Sequence, residues 1–117
     1  MKVMFFVLNK TELLDDLLSE FANRNVRGAT VVESRGMARL LGNYHDDDEI
    51  PFLGSVRAYL NPERQKSNLI IACLKDGQIT DVEAAIDTVI GDLSKPDTGV
   101  LFTVPVDYTK GLLQDGK

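Results

Sequence analysis

The sequence predicts an α+β domain with the element order β-α-β-β-α-β, and three observations carry that expectation. Two segments place apolar residues at helical spacing, four short segments are dense in Val, Ile and Phe, and the two kinds alternate in this order. A chain of 117 residues, 44% of them hydrophobic, can bury one core and not two, so residues 1–117 are read as a single domain.

The first strand is "KVMFFVL", Lys2 to Leu8, short, β-branched and aromatic, and ended by Asn9. In "NKTELLDDLLSEFANRNV" the residues Leu13, Leu14, Leu17, Leu18, Phe21 and Ala22 form one stripe. Asp15, Asp16, Ser19 and Glu20 lie off it, which predicts an amphipathic helix with Asn9 or Thr11 as its N-cap. "RGATVVESRG" gives the second strand between Gly28 and Gly36. A third strand is expected in "SNLIIACLKDG", stopped by Asp76-Gly77. The second helix is expected in "TDVEAAIDTVIGDL", where Thr80 and Glu83 have capping-box spacing and Val82, Ala85, Ile86, Val89 and Ile90 line one face. "SKPDTG" reads as a turn, "VLFTVPVDY" as a fourth strand, and residues 109–117 as a poorly ordered tail.

This order is the split βαβ, or ferredoxin-like, pattern: a sandwich of one sheet and two helices. Its one anomaly is the connection from residue 37 to 67. At about thirty residues it far exceeds the usual ~4–6, yet Ile50, Phe52, Leu53, Val56, Tyr59 and Leu60 make it too apolar for a solvated linker. Two helices cover only one face of a four-stranded sheet. The strands nevertheless run apolar at successive positions, so the uncovered face is expected to meet another chain in a homo-oligomer.

A net charge of -5 argues against nucleic acid and anionic membrane as partners. The lone cysteine, Cys73, excludes an internal disulfide and fits a reduced, cytoplasmic setting, and the six-residue run "VMFFVL" is too short for a signal peptide or a membrane span. "HDDDE", His45 to Glu49, offers metal-ligand types. However, five consecutive side chains in an extended loop alternate in direction, and the spacing and glycine of a calcium loop are missing. No nucleophile stands in a catalytic motif beside the single histidine, so no enzyme, no metal site and no obligatory cofactor are expected. Two segments suit an anion better. "SRGMAR" sets Arg35 and Arg39 around Gly36 at the end of the second strand, and "SKPDTG" sets Lys95, Thr98 and Gly99 before the fourth.

These same patches resemble the P-II signalling (nitrogen regulatory) proteins. "GATVVESRGMAR" looks like that family's second strand and entry to its T-loop, with Thr30, Gly36 and Arg39 in the family's order, and "DTGVLFTVPVD" looks like the end of its B-loop and last strand. The resemblance implies a ferredoxin-like subunit in a homotrimer, a nucleotide in the cleft between subunits, and a T-loop (here 37–67) that docks on a target protein such as a membrane transporter or an enzyme. Together with the anion-suited segments, it gives a candidate ligand site of Thr30, Arg35, Gly36, Met37, Ala38, Arg39, Lys95, Thr98 and Gly99. Tyr44, His45, Ile50, Phe52, Leu53, Arg57 and Tyr59 fall on the partner-binding loop. Val100 stands where the family has a basic residue after its last glycine, and the tail "YTKGLLQDGK" lacks the family's arginines. Fewer cations favour an adenine nucleotide of lower charge, a cyclic dinucleotide or another small anion over ATP as effector. Two other readings stay open: a divalent-metal-binding trimer resembling the CutA proteins, and an interaction module without ligand.

Overall fold

The computed structural model describes residues 1–36 and 66–112. Strand β1 spans Lys2–Leu8; a 3-10 turn, Thr11–Leu13, leads into helix α1, Leu14–Asn23; β2 spans Ala29–Arg35, β3 Lys66–Leu74, α2 Gln78–Val89 and β4 Gly99–Pro105. The four strands form one sheet in the order β2-β3-β1-β4, every neighbouring pair antiparallel. This is an α+β sandwich compatible with the ferredoxin-like arrangement.

The period-2 burial of the strands and the 3.6-residue stripe of the helices meet in one core. Met4, Phe6 and Leu8 of β1 and Ile70, Ala72 and Leu74 of β3 are buried under Leu17 and Phe21 of α1 and Val82, Ala85 and Ile86 of α2. Each fully buried large side chain contributes ~1.5–3 kcal/mol relative to exposure. Among the described residues no helix lies over the opposite side of the sheet.

Several local expectations change. Neither Asn9 nor Thr11 caps α1: Lys10 and Leu13 hold the two cap positions without a side-chain bond, and the Asn9 Oδ1 instead accepts from the Ser67 hydroxyl at 2.8 Å. The Thr80–Glu83 capping box is not used, because α2 starts two residues earlier at Gln78 with Gly77 as its cap. Gln78 has a different task there. Its side chain accepts from the Lys75 N–H and donates to the Asn25 carbonyl, joining the α1–β2 and β3–α2 turns. Asn25, at φ 64, sits in the left-handed region that asparagine tolerates best after glycine. Strand β3 begins at Lys66, so Lys66 and Ser67 belong to the sheet and not to the long connection; β4 ends at Pro105, short of the expected Tyr108.

Candidate functional site

The register fixes what each end of the sheet presents. Arg35 lies opposite Lys66, Leu8 lies between Asn68 and Gly99, and the Asn9 N–H donates to the Thr98 carbonyl at 3.0 Å. The end of β2, the start of β3, the end of β1 and the start of β4 therefore share one pole. That pole carries the cations Lys10, Arg35, Lys66 and Lys95, with the carboxylates Glu33 and Asp97 close to them in the chain.

The two anion-suited segments come to the same pole but not to adjoining strands. In a β-α-β-β-α-β unit the end of the second strand and the start of the fourth are expected at neighbouring places on the sheet or across a subunit contact; the strand order rules out the first, because β3 and β1 lie between them. Three strand spacings put them ~14 Å apart. A single phosphate cannot touch both within one chain, whereas a larger ligand, or one shared between subunits, can.

The open face of the sheet is a grid of apolar side chains. Reading across the strands, one row is Val32, Leu69, Val7 and Val100; the next is Thr30, Ile71, Phe5 and Phe102; the third is Cys73, Val3 and Val104. Only Thr30 is polar. Phe5 and Phe102 stack with ring centroids 5.2 Å apart, and Val100 and Phe102 are 57% and 49% exposed. Toward the cationic pole the next row changes character to Ser34, Ser67, Asn9 and Thr98, tied by the Ser67–Asn9 hydrogen bond. An uncharged apolar surface thus ends in hydroxyls and an amide just where the cations begin.

The site residues named from sequence divide accordingly. Met37, Ala38, Arg39, Tyr44, His45, Ile50, Phe52, Leu53, Arg57 and Tyr59 lie outside the described residues. Thr30 is on the open face, five positions and ~16 Å of strand before Arg35, whose alternation puts it on the helix face. Gly36 has no packing reason for its missing side chain, since a Cβ there would meet nothing within 4 Å. Gly99 has one: a Cβ would stand 2.5 Å from the Val7 carbonyl oxygen. Thr98 is buried at 3% exposure, and its hydroxyl donates toward the Leu93 and Lys95 carbonyls, closing the turn that carries Lys95. Lys66, Asn68 and Lys10 were missed; the first two need the β2–β3 register, which a long connection hides.

Asp92 opens this turn. Its carboxylate accepts from the Ser94 N–H at 2.9 Å, and that backbone bond, then the bond with the Ser94 hydroxyl, holds its pKa below the ordinary 3.8. A lowered carboxylate pKa adds stability above the unfolded value, and that stability is lost as pH falls through the folded one. Asp92→Ala should therefore lower the melting temperature at pH 6 and leave it unchanged once both states are protonated. Melting curves from pH 6 to pH 2 test this, and a constant deficit at every pH would refute it.

Among the described residues no three His, Cys, Asp or Glu side chains gather as a metal-binding group, and no helix is long and apolar enough to cross a membrane. No family model matches the sequence, and comparison with curated proteins returns no match.

Proposed function

We propose that this chain is a non-enzymatic, P-II-like signal-transduction protein. Its subunits form a homotrimer that holds a small anionic ligand, an adenine nucleotide or cyclic dinucleotide, at the clefts between them. Ligand binding is passed to a target protein through the connection between β2 and β3. The observation that supports this most is the pole: both roots of that connection, Arg35 and Lys66, emerge there beside Lys10 and Lys95. A ligand anion drawn to these cations sits where it can bias the conformation of the connection.

The apolar grid supports the assembly. The exposed Val32, Val100, Phe102 and Val104 and the half-buried Val3, Phe5, Val7, Leu69 and Ile71 between them form a contiguous apolar surface of the kind that marks an interface, and its polar last row would lie at the rim. The ~14 Å between the two basic segments is then bridged by bringing β4 of one subunit toward β2 of the next.

Native mass spectrometry of the purified protein, followed by thermal-shift assays with AMP, ADP, ATP and cyclic di-AMP, tests the proposal. A trimer stabilised by a nucleotide is expected, with the shift reduced in Arg39→Ala. Arg39→Ala binding as the parent does, or a protein indifferent to every nucleotide, would sink it; stoichiometric divalent metal lost in His45→Ala would favour the metal-binding reading.

A further inference from the structure

We infer that Arg35, Lys66 and Asn68 form a phosphate-group site on the helix side of the cationic pole. The inference takes from the preceding section only the anionic class of ligand.

Arg35 and Lys66 are directly opposed across the β2–β3 ladder, a geometry in which like charges repel and destabilise the pair. Among the described residues neither is in an ion pair. Glu33 is the one carboxylate in β2 and β3, on the same face as Arg35 and diagonal to Lys66, and it too forms no ion pair among the described residues. The local balance is therefore net positive. Next to Lys66 on this face is Asn68, lying between Glu33 and Leu8 on the flanking strands.

Asn68 adds an independent sign. The residue is only 8% exposed, and among the described residues its side-chain amide has no hydrogen bond. A buried primary amide offers two donors and an acceptor, and leaving them unmade is costly. A guanidinium fork, an ammonium and an amide N–H on one small patch supply donors of different reach to a group with several oxygens. A phosphate group satisfies all three and removes the repulsion between the two cations. Because Arg35 ends β2 and Lys66 begins β3, the same anion would tie together the two roots of the 37–65 segment.

Calorimetry and thermal-shift assays on the full chain, with inorganic phosphate, AMP and adenosine as probes, test the site. AMP should stabilise the parent and adenosine should not; inorganic phosphate stabilising it as well marks a free anion as sufficient, and AMP alone marks the phosphate of a nucleotide. Lys66→Gln should weaken AMP binding about tenfold or more. Its melting temperature without ligand should hold or rise, because a like-charge pair is gone, and Lys66→Arg should bind nearly as the parent. Equal stabilisation by adenosine, or Lys66→Gln binding AMP as the parent does, overturns the site. If Lys66→Gln binds normally while Arg39→Ala does not, the phosphate lies elsewhere and the nucleotide-sensor reading stands. If no probe shifts the parent, both fall.

Discussion

Gly99→Ala is expected to destabilise the protein by about 3 kcal/mol, the upper range for overpacking a close contact. The added methyl would stand 2.5 Å from the Val7 carbonyl oxygen and 3.0 Å from the Phe6 ring. Neither neighbour can yield. Val7 is fixed in the β1–β4 ladder, where it pairs with Val100, and Phe6 is fully buried in the core. The change should detach the start of β4, which the denaturation midpoint would report, and an unchanged midpoint would refute the close approach. The consequence for function is specific. Lost ligand binding in Gly99→Ala would follow from a displaced strand, so Gly99 cannot be used to argue for a backbone contact to phosphate; Lys95→Gln is the cleaner probe of that turn.

Phe102→Glu should dissociate the proposed homotrimer into folded monomers. Phe102 lies at the β4 edge of the open face, stacked on Phe5 and outside the helix-covered core. Burying it against another copy contributes ~1.5–3 kcal/mol per subunit, and a carboxylate in its place would join rows that hold no cation among the described residues, at a cost of several kcal/mol. Sedimentation at micromolar concentration should show the mass fall to one subunit while the circular dichroism spectrum stays folded. A parent protein that is itself monomeric, or a variant that stays assembled, would refute the interface.

The fold was largely legible because its signals are local. β1 was located to the residue, since "KVMFFVL" is bounded by a polar turn, and both helices were found from stripes that end up buried at Leu17, Phe21, Val82 and Ile86. Helix starts were misjudged for a physical reason. Asn9 has the chemistry of a cap, but Ser67, fifty-eight positions away, competes for its side chain, and Gln78 begins α2 by bonding the Lys75 N–H. Such competition is invisible until the chain is folded.

The candidate site divides in the same way. From sequence, Arg35, Lys95, Thr98 and Gly99 were placed correctly at the ends of strands. Their separation was not, because strand order is set by which faces bury together and not by adjacency along the chain. Thr98 illustrates the limit: its residue type fits a phosphate, but its hydroxyl is engaged by the Leu93 and Lys95 carbonyls.

What the sequence determined by itself is the set of elements and their faces, because helical and strand periodicities are properties of neighbouring residues. The apolar rows of the open face follow from it once the strands are laid side by side. Only the tertiary structure decided the register. It is a long-range pairing, and it alone sets Arg35 against Lys66, leaves Asn68 buried beside them, and leaves no room for a side chain at Gly99.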